Sequence, residues 1–167
     1  MDRNLFLRRV FAYLVDIAIL FALLGPAGFL IQHAFGCSPS TGPEIWRVLI
    51  LNFSIPVWIY FWLSDASVRG ATLGKRIFRI RVSRDPGRAL GPGRAFVRTA
   101  IKLLPWELVH LSAFALSEDL DAFSVAQGLG LATANLLMLV YLWVAFATFG
   151  RRSVHDLPVD TKIIRAA

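Results

Sequence analysis

The sequence predicts an all-α membrane protein: a four-helix transmembrane bundle with both termini cytoplasmic, and a basic cytoplasmic loop carrying a short strand-like segment and an interfacial amphipathic helix. Three observations predict it. The chain is 56% hydrophobic over 167 residues yet 17% charged, so its charges must be segregated from its apolar runs. Four such runs stand out, at 10–35, 46–63, 101–117 and 123–149, against roughly 20 apolar residues needed to cross ~30 Å of hydrocarbon. Of the eighteen Lys and Arg residues, only Arg47, at the start of run two, falls on the side of the connections after runs one and three. The others sit before run one, between runs two and three, or after run four, which places both termini and the loop 64–100 in the cytoplasm.

The first run is RRVFAYLVDIAILFALL, with Asp16 in an otherwise apolar setting. It is too long for a signal peptide, and Asp16 interrupts the apolar region such a peptide needs, so it is read as a retained helix. Gly25-Pro26 should kink or end it, whereas Pro56 and Pro105 are tolerable in membrane helices if neighbours satisfy the freed carbonyls. Cys37 is the single cysteine, which excludes an intrachain disulfide. The exterior connections carry Glu44 in one and Glu118, Asp119 and Asp121 in the other. The net charge of +7 is accordingly directed at an anionic inner-membrane leaflet and not at nucleic acid.

Within the loop, Arg76 to Val82 interleaves arginines with Ile77, Phe78, Ile80 and Val82, which favours a strand-like segment. Asp85-Pro86-Gly87 reads as a turn and Pro92-Gly93 as a helix start. Arg94, Arg98 and Lys102 then recur every four residues and line one helical face with positive charge. Together with Lys75 and Arg76 they are expected to contact anionic lipid headgroups, or to dock an acidic protein surface. The stretch GATLGKR is one residue short of a phosphate-binding loop and has Arg76 where a magnesium-binding hydroxyl belongs. A tight glycine turn at a helix exit accounts for Gly70 and Gly74.

Arg9, Ala12, Tyr13 and Asp16 form an RxxAYxxD pattern; GATLGKR, Arg98 and a terminal HDLPVDTKII follow in order. This succession resembles the RDD family of small bacterial membrane proteins across nearly the whole chain. The resemblance implies that Arg9 and Asp16 are the arginine and first aspartate of the family, and it carries the second aspartate onto Asp156, with Asp65 competing. Arg79 departs from the pattern, standing where similar sequences often have a small residue. For activity, the resemblance implies transport of unidentified ligands.

Arg9 and Asp16 are seven residues apart, so they share a helical face within about 20° and lie ~10 Å apart along the axis. If hydrocarbon begins near Val10, Asp16 is roughly 9 Å deep, where an unpaired carboxylate costs about 2.5–3.5 kcal/mol. It must therefore be paired, protonated or turned toward protein. Glu107 and His110, three apart on the third run, are its expected company. The cluster reads either as a proton or cation pathway or as a helix-packing clasp. A metal site would need a second ExxH pair, which is missing, so no cofactor or metal is expected. Nor does any serine, cysteine or histidine constellation suggest an enzyme. Ala126, Gly130 and Ala134 form a small-residue row for close helix packing, with Asn135 beside it as an interhelical hydrogen-bonder. Asp156 could reach Arg9, and Val159 to Ile164 could pair as a strand with 77–82. Two functions stand open: transport, which would need a homo-oligomer because four helices hardly enclose a path, and a structural or partner-binding membrane protein.

Overall fold

A computed structural model of the chain describes residues 3–84, 89–117 and 122–166. The expected turn at 85–87 and the acidic residues Glu118, Asp119 and Asp121 lie outside the described residues. The architecture is mostly helical. Helix α1 covers Arg3–Ala34, α2 Gly42–Leu49, α3 Ile55–Ala66, α4 Leu73–Ile77, α5 Pro92–His110 and α6 Val125–Ala147, with strands β1 at Ile80–Ser83 and β2 at Lys162–Arg165.

Helix α1 does not stop at Gly25-Pro26 but runs through it to Ala34. Proline removes one hydrogen bond, whereas leaving the helix in an apolar medium would strand many. At Pro56 the chain finds a different solution. One π turn, Ile50–Ser54, joins α2 to α3, and the Ile55 amide reaches back five residues to Ile50. The wider turn relieves the clash of the proline ring with the carbonyl four residues earlier. A second π turn, Leu111–Ala115, extends α5 beyond Pro105.

Among the described residues, three stretches are long and apolar enough to cross a membrane: Asn4–Ala34, Gly42–Ala66 and Val125–Ala147. Only 17%, 22% and 11% of their most apolar windows are buried. Their apolar surface therefore faces outward, which a helix of a soluble core would not do. The expected crossing at 101–117 falls on the later part of α5 and its π turn; that helix, which begins at Pro92 and carries Arg94, Arg98, Lys102 and Glu107, is not among the three.

The chain packs as two compact units. The first comprises Met1–Ile19, Trp58–Lys102 and Leu139–Ala167. Its core gathers Leu5, Ala12, Ile80, Val82, Leu90, Ala95 and Ile163, with Trp62, Ala66 and Phe78 packed on it. Here β1 and β2 pair antiparallel, from Ile80 opposite Arg165 to Ser83 opposite Lys162. The strand expected over 76–82 is thus shorter and later: Arg76 and Ile77 end α4, and Arg79, at φ +52°, makes the corner before β1. Gly74 is likewise not in a turn but inside α4, where a side chain would collide with the Ala12 carbonyl.

The second unit comprises Leu20–Val57 and Leu103–Met138. Rings fill it: Phe21 lies 4.6 Å from Phe53 and 6.1 Å from Trp106. Small residues allow its close contacts. Gly42 meets the backbone of Phe114 and Ser117, and Gly130 meets the side chain of Ser112. Of the expected small-residue row, Gly130 and the buried Ala134 face the interior while Ala126 is exposed. Asn135 does not bridge helices; its amide donates to the Leu131 carbonyl one turn back.

Candidate functional site

The first unit contains a chain of buried ion pairs. Asp65, in the last turn of α3, is fully buried and receives Lys75 Nζ at 2.5 Å together with an Arg98 Nη donor. Arg98, buried on α5, also donates its Nε to Asp156 Oδ1 at 2.9 Å. Asp156, equally buried, takes Arg9 Nη2 at 2.5 Å, the Ser153 amide at 2.8 Å and the Thr161 hydroxyl at 3.0 Å. Arg9 donates further to the Gly150 carbonyl at 3.2 Å and to His155 Nε2 at 2.8 Å. Five side chains from three helices, a short helix and the tail are thus linked through two carboxylates. Desolvating so many charges is expensive, and only this density of hydrogen bonds offsets it.

Asp16 has its own set of donors. Tyr60 Oη and Thr72 Oγ1 each donate at 2.6 Å, and the Gly74 amide donates at 2.7 Å. Thr72 caps α4 by accepting the Lys75 amide, and Tyr60 Oη accepts the Leu73 amide at 2.9 Å. The first-turn amides of α4 thereby meet a carboxylate, the favourable polarity for a helix start. The motifs in α1 and the glycine segment are therefore one construction. Ala12 and Gly74 are small so that α4 can approach α1, and Asp16, one turn after Ala12, holds it there.

The expected company of Asp16 is corrected accordingly. Its donors come from α3, Thr72 and α4, while Glu107 and His110 belong to the second unit and meet Ser54 there. Ser54 Oγ lies 3.1 Å from Glu107 Oε2 and 3.3 Å from His110 Nδ1, and the two ionisable groups are 3.7 Å apart. The lipid-contact set is corrected too. Lys75 and Arg98 are consumed by Asp65 and Asp156, and Lys102 Nζ sits 3.2 Å from the Phe61 ring centre, a cation–π arrangement. The four-residue spacing does place Arg94, Arg98 and Lys102 along one side of α5. Two buried carboxylates draw that side inward, leaving only Arg76 and Arg94 of the set exposed.

Arg9 and Asp156 are brought together, and Asp65 joins the same network instead of replacing Asp156. The sequence alone assigns His155, Tyr60 and Thr72 no role in this arrangement. Thr72 was legible as a helix cap one residue before LGKRI; the other two had no local signal. Because an arginine only donates, His155 Nε2 accepts from Arg9 and the ring proton lies on Nδ1. Burial, reinforced by Arg98 and Arg9 and opposed by Asp156, pushes the His155 imidazolium well below its ordinary pKa, so the ring is neutral. Burial alone would raise the Asp156 carboxyl, but Arg98 and then Arg9 outweigh it and hold the group well below the usual carboxylate range. Burial also lowers Lys75, against the pull of Asp65.

A model of the RDD family matches residues 4–160. No curated protein and no solved structure matches the chain.

Proposed function

Because the chain belongs to the RDD family of membrane proteins, we propose that it is a non-transporting membrane scaffold whose arginine–aspartate network clasps the segment 65–84 and the tail onto the first part of α1. One observation carries this reading: Asp16, Asp65 and Asp156 all have their oxygens taken by donors of the protein itself. A transport site must exchange its partners, and opening any of these carboxylates strands buried cations or donors. In purified protein reconstituted into liposomes with an interior pH dye, monovalent cation gradients should produce no proton flux above empty liposomes. Flux that disappears in Asp16→Asn would replace the clasp by a conduit.

Cation–proton exchange is the second reading, and Glu107, His110 and Ser54 favour it, since a carboxylate, an imidazole and a hydroxyl within hydrogen-bonding reach can hand on a proton. It needs a second copy of the chain to enclose a path. In that case the flux would survive Asp16→Asn and be lost in Glu107→Gln. Under either reading both termini and the loop 64–100 lie on the cytoplasmic side of the inner membrane, supported by the distribution of Lys and Arg. Exposed Cys37, the single cysteine, tests it: an impermeant maleimide should label it from outside intact spheroplasts. Labelling only after permeabilisation would invert the topology.

A further inference from the structure

Among the described residues, a second cluster of arginines, separate from the ionic network, has no counter-charge. Arg69, Arg76, Arg79 and Arg81 line a pocket of about 440 Å³ together with Ala71, Ile80 and Ala166. Among the described residues no carboxylate lines it and none of the four is in an ion pair. Arg81 is half-buried, and its Nε is shielded from solvent without an acceptor. A buried donor left without a partner is uncommon and points to an absent acceptor.

The backbone assembles the four on purpose-built corners. Gly70, at φ +56°, accepts the Val82 amide at 2.8 Å, which folds 69–82 back on itself and brings Arg69 beside β1. Arg76 Nε donates to the Ala71 carbonyl at 3.2 Å, steering its guanidinium while its terminal nitrogens keep their donors. Arg79 holds a left-handed conformation that a glycine would adopt without strain, fixed by the Ala166 amide donating to its carbonyl at 2.8 Å. A strained arginine at a glycine-type corner is explained if its guanidinium is needed. On the adjoining α4, Leu73 and Ile77 expose apolar side chains four residues apart, as suits a segment lying where bilayer phosphates are found.

We propose that Arg69, Arg76, Arg79 and Arg81 form a binding site for a phosphate monoester or diester. Guanidinium forks match phosphate oxygens in pairs, and a site of this volume admits a phosphate with its organic substituent. The site stands whichever way the ionic network functions. The test uses the full chain in an uncharged detergent, its thermal unfolding followed at matched ionic strength with added inorganic phosphate, short-chain phosphatidylglycerol or short-chain phosphatidylcholine. Wild type should gain stability, and Arg79→Gly, which relieves the strained corner and so keeps the fold, should bind about tenfold more weakly. Arg47→Ala, which removes one exposed charge outside the pocket, should stay within about twofold. A gain with phosphatidylglycerol alone identifies a lipid headgroup, and an equal gain with inorganic phosphate identifies a free phosphate. No gain with any ligand, or equal weakening in both variants, overturns the site.

Discussion

In the first unit, Arg9, Asp65, Lys75, Arg98 and Asp156 are tied by charge-assisted bonds between segments far apart in sequence, whereas the second unit brings its helices together over glycines, serines and aromatic rings. The two arrangements tolerate change differently. A buried ion network is close to all-or-none, because removing one member leaves the others charged and dry. Packing over small residues is graded, since each misfit is local and a neighbour can yield. The network therefore supplies uniqueness of arrangement at a high desolvation cost, and the packed unit supplies proximity at a low one.

The strongest way to break this contrast is to remove a carboxylate from each unit. Asp156→Ala should destabilise the protein by about 3–5 kcal/mol, seen as loss of folded material or a collapsed melting temperature in detergent, because Arg9 and Arg98 both lose their acceptor. Substituting Met for Arg9 and Arg98 in the same chain should recover much of that loss. Glu107→Gln, which keeps a hydrogen-bonding group beside Ser54, should cost about 1 kcal/mol. Equal losses from Asp156 and Glu107 would erase the distinction between the units.

A smaller effect separates two glycines. In Gly74→Ala the new methyl meets the Ala12 carbonyl, which belongs to α1 and cannot rotate away; in Gly130→Ala it meets the Ser112 side chain. Each should cost about 1–3 kcal/mol through overpacking. Combining Gly130→Ala with Ser112→Gly should restore most of the loss, while no side-chain change at Ala12 should rescue Gly74→Ala. Rescue in both, read from melting temperatures, would mean that α4 is not held against the α1 backbone.

The smallest expected effect concerns acid. His155 and Asp156 both titrate lower in the folded protein than in the unfolded chain. On acidification the unfolded chain therefore takes up protons first, at histidine below about 6.5 and at aspartate below about 3.9. Both groups contribute stability that is present above those values and lost as pH falls. Wild type should lose about 1 kcal/mol between pH 6.5 and 5.5 through His155; His155→Gln should flatten that interval and leave the steep fall below pH 4. A wild-type melting temperature unchanged over the interval would show that His155 is not held neutral.

Much of this was legible in the chain. The apolar runs, the start of α5 at Pro92 and the partnership of the 77–82 region with the tail follow from periodicity, turn chemistry and β-branched content, which are local properties. The bounds were not. The π turn at Ile50–Ser54 answers a proline through the carbonyls before it, and α1 continues past Pro26 because its surroundings offer no alternative partner. Arg9 with Asp156 could be guessed from opposite charge at matching ends of runs. The inward turn of Arg98 could not, because only the placement of Asp65 and Asp156 on either side of it makes that direction favourable. Asp16 misled for a related reason. An intramembrane carboxylate suggests ionisable partners, whereas its donors are a tyrosine, a threonine and a backbone amide.

The bond between Arg9 and Asp156 spans 147 residues of sequence. At translation rates of about 5–20 residues per second, the arginine is synthesised roughly 7–30 s before its carboxylate. Throughout that interval Arg9, and for a shorter time Arg98, must wait where water or lipid phosphate can attend them. Asp156 then acts as a latch on biogenesis: a nascent chain that stalls before it leaves Arg9 and Arg98 without the acceptor they share.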